Sequence, residues 1–350
     1  MSDHNDSGSM KRYIASFAVG LVLVMVAGDL TLSMLPLPEV EGNTNRLFRK
    51  WYEYQQLEHP PDIVVLGSSY EEFGVEPAVL DATATALTGT PVTSFNLAAP
   101  ATSLNTERLL VRRLVRQEKL PELVYLGITP FAVDTAQTNW LRGGLCSFGT
   151  AVDIEPVWRT DRTLVVDALG ASVFRAYNRW NDIQLIGEKT LLGQPLTTTA
   201  YSDESSRGWR AWRGHRRLRR EQPTDKGTSW RRFDTGNING QRIRQAIAEL
   251  RRHGVAVRLL ELPLASTALT EAAPSKNQPY QAFVQDLLAD TGVTLVRPPA
   301  GLLQDSDYFD GGHLLPKGAE KLSRWMATDA AVALAARNAG PAHERLVAGR

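Results

Sequence analysis

The chain has 350 residues, of which 43% are apolar and 22% are charged, and its formal net charge is +1. This composition is typical of a folded globular protein, and the length allows one large domain or two ordinary ones. The near-neutral charge gives no electrostatic reason to expect a nucleic-acid partner. The single cysteine, Cys146, excludes a disulfide framework.

The N-terminus has the pattern of a membrane anchor. A polar stretch, residues 1–13, carries Lys11 and Arg12 and precedes the apolar segment 14–36. That segment is long enough to span a bilayer, and the two basic residues predict a cytoplasmic N-terminal tail. We therefore expect a single-pass inner-membrane protein whose remaining residues are extracytoplasmic. The alternative is a signal peptide cleaved near Gly28, which would release a secreted protein.

Strand-like and helical patterns alternate through the rest of the chain. Residues 37–60 have the pattern of a helical linker that ends at a Pro-Pro breaker. Apolar, β-branched runs then occupy residues 62–69, 91–100, 121–130, 255–264 and 293–299. Helical spacing is found at residues 104–120, 239–254, 280–292 and 316–338. This order predicts an α/β domain at residues 61–340, a doubly wound three-layer sandwich around a five-stranded parallel sheet.

Residues 135–238 interrupt this alternation as an inserted, mainly helical segment. Its most unusual part is residues 205–220, which are rich in Arg and Trp. Charge and aromatic residues together could contact an anionic membrane surface or a polysaccharide. A solvated loop or helix face is the alternative, and nucleic-acid binding is disfavoured by the expected extracytoplasmic location.

The first strand-like run ends in a glycine and two serines, Gly67-Ser68-Ser69. Active sites of open α/β sheets lie at the carboxyl ends of the strands, so a serine there is a candidate nucleophile. Ser69 could instead only cap the following helix, which would carry Glu71 and Glu72 in its first turn. Ser68 is interpreted as a turn hydroxyl, with a nucleophilic role as the alternative.

A possible base and its partner lie near the C-terminus. Asp310 and His313 are three residues apart, in a Gly-Gly turn just before the last predicted helix. A carboxylate can fix the tautomer of an imidazole, whose other nitrogen then takes a proton from a hydroxyl. Both loops fall at the same sheet edge in a doubly wound fold. We therefore expect Ser69, His313 and Asp310 to meet.

Four segments resemble the blocks of the SGNH (GDSL-type) hydrolase superfamily: VLGSSY, FNLAAPATS, YLGITP and DGGH. The resemblance covers roughly residues 61–134 and 240–337. It is greatest to the membrane-anchored, extracytoplasmic branch, which includes proteins of lipoteichoic-acid D-alanylation and of cell-envelope polysaccharide O-acetylation. It implies a flavodoxin-like SGNH fold in which Ser69 is the nucleophile and Asp310 and His313 are its partners.

The resemblance also suggests the remaining site residues. Ser68 takes the place of the aspartate in Gly-Asp-Ser. Ala98 would supply its backbone N–H to the oxyanion where the family usually has a glycine. Thr129 stands where the family usually has an asparagine side chain. Asn96 would either stabilise the second loop or touch the substrate. No metal ligand pattern and no cofactor motif is present.

The expected activity is serine-dependent acyl transfer through an acyl-enzyme, by an O-acyltransferase or esterase that acts on a cell-envelope glycan or a related acylated molecule. The resemblance implies a membrane-bound partner that exports the acyl group. One alternative is a secreted GDSL-type esterase or lipase. The other is a non-catalytic, membrane-tethered binding or assembly protein on a degenerate SGNH fold.

Overall fold

The computed structural model describes residues 6–34, 43–100, 102, 104–117, 120–129, 180–193, 207–209, 211, 238–266 and 274–338. Its helices are α1 (Asp6–Met34), α2 (Asn43–Gln55), α3 (Ser69–Gly74), α4 (Pro77–Thr88), α5 (Leu104–Arg116), α6 (Trp180–Leu191), α7 (Ile238–Arg252), α8 (Pro274–Thr291) and α9 (Pro316–Asn338). Its strands are β1 (Ile63–Leu66), β2 (Ser94–Asn96), β3 (Leu123–Gly127), β4 (Ala256–Leu260) and β5 (Thr294–Val296).

The chain divides into two compact units, and α1 and α6 belong to the first of them. Within α1, residues Arg12–Thr31 form a helix that is long and apolar enough to cross a membrane. The predicted membrane segment 14–36 overlaps it. Most of the predicted insert, residues 135–238, lies outside the described residues.

The second unit contains the sheet. Its strands follow the order β2-β1-β3-β4-β5, and every described pairing is parallel. Ile63 of β1 pairs with Ser94 on one side and with Leu123 on the other. This is the flavodoxin-like strand order of doubly wound sheets. Successive strands are added in one direction up to β2 and in the opposite direction from β3 onwards, so the switch point lies between β1 and β3. The predicted five-stranded parallel sheet is confirmed.

Helices cover both faces of the sheet, which explains why its central strands are apolar throughout. All four residues of β1 and all five of β3 are buried. Side chains of Ile63, Val65 and Tyr125 join a core cluster with residues of α4 and α9. On the other face, α5 packs against α7, and α7 against α8. Parallel strands that are buried on both faces read as continuous hydrophobic runs.

Helix α2 contributes to this core, although residues 37–60 were predicted as a linker. Leu47, Trp51 and Tyr54 are almost completely buried. The rings of Trp51 and Tyr54 stack at 5.7 Å, and Tyr54 meets Phe95 of β2 edge-to-face at 5.5 Å. Helix α2, which precedes β1 in the chain, therefore packs against the edge strand β2.

A short piece of the Arg/Trp-rich segment lies along the same edge strand. The Asn96 N–H donates to the Arg207 carbonyl at 2.9 Å. Gly208 has φ +84°, and a Cβ there would lie 3.0 Å from the Asn96 carbonyl carbon. Trp209 is buried, and its Nε1 donates to the Phe73 carbonyl at 3.4 Å. Trp209 therefore packs in the fold, and apart from residues 207–209 and 211 the rest of segment 205–220 lies outside the described residues.

A buried ion pair joins α2 to the helix that follows β1. Lys50 Nζ lies 3.1 Å from Glu72 Oε1, and the two side chains are 4% and 0% exposed. Lys50 also donates to the Ala98 carbonyl. Because both charges are removed from water, each depends on the other for compensation.

We predict that Lys50→Met lowers the free energy of unfolding by about 3–5 kcal/mol, because it leaves the Glu72 carboxylate buried without its cation. Chemical unfolding of the full chain in detergent measures this. The double variant Lys50→Met/Glu72→Leu should recover most of the loss. The exposed Lys317→Met serves as the control, with an effect within about 0.5 kcal/mol. A loss in the double variant as large as in the single one would contradict the argument.

Candidate active site

The structure brings a hydroxyl, an imidazole and a carboxylate together at the carboxyl end of the sheet. Ser69 Oγ lies 2.7 Å from His313 Nε2. His313 Nδ1 lies 2.9 Å and 2.8 Å from the two carboxylate oxygens of Asp310. Ser69 follows β1, whereas the other two residues precede α9 and are more than 240 positions away in sequence. The three groups therefore form a continuous series of hydrogen bonds.

Backbone amides of the same turn hold the Asp310 carboxylate in place. The N–H groups of Gly312 and His313 both donate to Asp310 Oδ1, each at 2.9 Å. Burial raises the pKa of Asp310, but the hydrogen bonds from the His313 ring and from these two amides outweigh it. The net pKa lies below the ordinary value of 3.8. Asp310 is therefore held as a carboxylate that faces the imidazole.

Aromatic side chains fix the plane of the imidazole. The Tyr70 ring stacks on one face of the His313 ring at 4.9 Å, and the Phe309 ring is stacked against it at 5.1 Å. Phe73 meets His313 edge-to-face at 5.6 Å. The His313 side chain nevertheless remains 23% exposed, and that of Asp310 remains 36% exposed. The imidazole is thus oriented by packing while it keeps access to solvent.

Ser68 has a different role from Ser69. It is the N-cap of α3, and its Oγ accepts from the Tyr70 N–H at 3.4 Å and donates to Glu71 Oε2 at 3.0 Å. Ser69 is the first residue of α3. The capping role that was considered for Ser69 therefore belongs to Ser68, because the cap is the residue that precedes the first helical position.

Asn96 holds the other end of α3. Its Nδ2 donates to the carbonyls of Glu71 and Val75 at 2.9 Å and 2.7 Å, and more weakly to that of Glu72 at 3.4 Å. Its Oδ1 accepts from the Ala98 N–H at 3.0 Å. Of the two expectations for Asn96, stabilisation of the loop matches these contacts.

The Ala98 N–H has a hydrogen-bond partner within the fold. The resemblance implied that the Ala98 N–H donates to an oxyanion, but in this structure it donates to Asn96 and Ala98 is fully buried. The part of Ala98 in oxyanion binding therefore stays a prediction. Thr129 follows β3 at the same edge, and its side chain is buried. Its part in oxyanion binding stays a prediction.

Sequence reasoning missed several residues that build this site. Tyr70 and Phe309 were not singled out, and Glu71 was expected only as a first-turn acid, although Ser68-x-x-Glu71 matches the capping-box pattern. Glu71 Oε2 accepts from the Ser68 N–H at 2.7 Å, and Glu71 is fully buried. Burial raises the pKa of Glu71 to about 7, although hydrogen bonds from its own backbone amide and from Ser68 act in the opposite direction. Within the described residues, no group of three or more His, Cys, Asp or Glu side chains could hold a metal ion.

Comparison with known proteins adds little to this picture. No protein-family model and no curated protein matches the chain. Among solved structures, the chain is similar to TesA, with 12% sequence identity and a TM-score of 0.36. The likeness covers 77% of this chain and 98% of that one.

We predict that Gly312→Ala destabilises the site through Tyr70, because a Cβ on Gly312 would lie 2.7 Å from Tyr70 Cζ and closer still to the ring edge. Overpacking of this kind costs about 1–3 kcal/mol of the free energy of unfolding, which chemical unfolding measures. In a Tyr70→Ala background the same change should cost much less. Equal costs in the two backgrounds would show that the Tyr70 ring is not what Gly312 accommodates.

A second prediction concerns pH. The folded pKa of Glu71 is raised from 4.5 to about 7, so between these values the folded state binds more protons than the unfolded state. The stability that Glu71 contributes is therefore complete below pH 4.5 and is lost as the pH rises towards about 7. The loss is up to about 3 kcal/mol.

The difference in free energy of unfolding between the wild-type chain and Glu71→Gln should change across this pH range, because glutamine does not titrate. Chemical unfolding at several pH values measures it. Glu107 is also buried, and both its burial and the charge of Glu71 raise its pKa, so both proteins are measured in a Glu107→Gln background, in which this group does not titrate. Parallel pH profiles of the two proteins would contradict the prediction.

Proposed function

We propose that this chain is a serine-dependent acyl-transfer enzyme of the SGNH type, either an esterase or an O-acyltransferase. The observation that carries the proposal is the hydrogen-bonded series Ser69–His313–Asp310. A hydroxyl bonded to an imidazole, which is bonded in turn to a carboxylate, is the arrangement that activates a serine for attack on a carbonyl. The resemblance of the four sequence blocks to the SGNH superfamily supports the same conclusion.

In the first half of the reaction, Ser69 Oγ attacks the ester carbonyl while His313 Nε2 takes its proton. Asp310 accepts from Nδ1–H and stabilises the imidazolium that forms. The Ser69 N–H is the first amide of α3, one of the donors that have no partner within a helix. It can donate to the oxyanion. When the ester C–O bond breaks, His313 returns the proton to the leaving alcohol, and the acyl group remains on Ser69.

In the second half, a hydroxyl group attacks the acyl-enzyme. His313 takes the proton of that hydroxyl as the new C–O bond forms, and it gives the proton to Ser69 Oγ when the bond between the acyl carbon and Oγ breaks. A sugar hydroxyl as acceptor makes the protein an O-acyltransferase, whereas water makes it an esterase. The residues of the site act in the same way in both cases.

We place this activity at the cell envelope. The helix Arg12–Thr31 suits a membrane anchor by length and composition, and the resemblance is greatest to anchored proteins that act outside the cytoplasm. An acylated envelope glycan is the substrate class that fits such a location. A membrane-bound protein that exports the acyl group would be its partner, as the resemblance implies.

We expect a serine-reactive fluorophosphonate to label the full chain at Ser69, because a hydroxyl bonded to a histidine reacts faster than an ordinary one. Peptide mass spectrometry locates the adduct. Ser69→Ala should abolish labelling. His313→Ala should slow it by on the order of 10³-fold, since it removes the general base. Ser68→Ala should still be labelled at Ser69.

Hydrolysis of p-nitrophenyl acetate by the same proteins tests the ester chemistry. It should follow the labelling rates across the variants. An adduct on Ser68, or esterase activity that survives Ser69→Ala, would overturn the assignment of the nucleophile. A folded chain that neither reacts with the probe nor hydrolyses the ester would favour a binding or assembly protein.

A further inference from the structure

The carboxylate of Glu71 holds the residue that precedes the nucleophile. Glu71 Oε2 accepts from the Ser68 N–H at 2.7 Å and from Ser68 Oγ at 3.0 Å. One carboxylate oxygen thus binds both the backbone and the side chain of Ser68. Ser69 is the next residue, so the position of its hydroxyl depends on where this contact holds the chain.

Two glycines open the space that this carboxylate occupies. Gly67 is the first residue after β1, and Gly127 is the last residue of β3, the neighbouring strand. A Cβ on Gly67 would lie 2.5 Å from Glu71 Oε2, and a Cβ on Gly127 would lie 2.7 Å from Glu71 Oε1. Both distances are too short for any side chain. The sheet edge therefore has a slot, formed by Gly67 and Gly127, that fits the Glu71 carboxylate.

The carboxylate in this slot costs stability. Glu71 is fully buried, and its Oε1 has no hydrogen-bond partner in the part of the chain that the structure describes. Burying a carboxyl group in this way is unfavourable, and an apolar side chain of similar size would avoid that cost. The hydrogen bonds that join the Glu71 side chain to other described residues go to Ser68. Holding Ser68 is therefore what the carboxylate contributes that an apolar residue could not.

The geometry of the nucleophile shows why such a contact matters. Ser69 Oγ reaches His313 Nε2 at 2.7 Å from a six-residue helix. So short a helix has little stability of its own. A misplacement of about 1 Å in a reacting group can lower a rate by about 10²-fold. A rigid contact directly before Ser69 prevents such a shift.

We propose that Glu71 is a positioning residue for the nucleophile: seated in the slot between Gly67 and Gly127, its carboxylate fixes Ser68 and thereby holds the Ser69 hydroxyl against His313. The inference rests on the proposed function, since it assigns a role within the same site. Glu71 itself does not touch the reacting atoms.

The test combines Glu71→Ala, Glu71→Gln, Gly127→Ala and the double variant Glu71→Ala/Gly127→Ala in the full chain. The first readout is the rate of fluorophosphonate labelling at Ser69. Glu71→Ala should slow labelling by about 10- to 100-fold. Glu71→Gln should restore most of the rate, because its amide oxygen can still accept from the Ser68 N–H. Gly127→Ala should slow labelling by displacing Glu71, and should add little in the double variant.

Glu107→Gln is the matched control. Glu107 is a second fully buried carboxyl group near Glu71, and it has no hydrogen bond to Ser68 or to any other described residue. Its substitution should change the labelling rate less than twofold. Thermal unfolding of every variant verifies that the compared chains are folded at the assay temperature.

A second readout separates this inference from the proposed function. The ¹⁵N resonance of His313 Nε2 reports its hydrogen bond to Ser69 whether or not the serine reacts. Glu71→Ala should shift this resonance, and Glu107→Gln should not. If the wild-type chain is not labelled, the proposed function fails, and the resonance alone decides the role of Glu71.

Three results would overturn the inference. The first is a Glu71→Ala chain that is labelled at the wild-type rate with an unchanged His313 resonance. The second is a labelling rate in the double variant that is lowered by the full product of the two single-variant factors, because Glu71→Ala and Gly127→Ala would then act independently. The third is a loss in Glu107→Gln as large as that in Glu71→Ala, which would assign the effect to any change of buried charge.

Discussion

The candidate site depends on how α3, a six-residue helix, is held in place. A helix of this length does not form stably by itself, yet its first residue is Ser69. Polar contacts fix it on three sides. Glu71 and Ser68 close its N-terminal end, the Asn96 amide binds carbonyls at its C-terminal end, and Lys50 pairs with Glu72 on its flank. Asn96 belongs to β2 and Lys50 belongs to α2. The orientation of the helix therefore depends on other segments of the fold as well as on its own sequence.

These contacts are costly as well as specific. Lys50, Glu71 and Glu72 are buried, and charged groups lose free energy when they leave water. Apolar residues would pack the same space with less penalty, but they would not fix the direction of a backbone amide. Polar burial that reduces stability is expected where a protein must hold reacting groups in one geometry. In the second unit, Glu71 and Glu72 belong to the short helix that begins at Ser69, and Lys50 contacts that helix through Glu72.

The sequence was sufficient for the features that depend on local pattern. Continuous apolar runs and helical spacing predicted the parallel sheet, and the positions of Ser69, Asp310 and His313 at the ends of elements placed them at one sheet edge. Helix α4 was not singled out, because its Ala- and Thr-rich sequence has only a weak apolar stripe. What could not be read from the sequence depends on distant partners. In the sequence, Glu71 has the pattern of an ordinary first-turn acid. The space for its carboxylate is left by Gly127 of β3, which is 56 positions away and has no Cβ.

The two adjacent serines, Ser68 and Ser69, also differ in the partners that the fold gives them. Ser68 Oγ is engaged on both sides, since it donates to Glu71 and accepts from the Tyr70 amide. The Ser68 hydroxyl therefore makes its hydrogen bonds at the start of the helix, and Ser68 is buried. Ser69 is one residue further on, where a helical side chain points away from the cap, and its hydroxyl meets His313. Ser68 Oγ bonds the start of the helix, whereas Ser69 Oγ bonds the imidazole, so the two neighbouring residues have separate roles, one in support and one in chemistry.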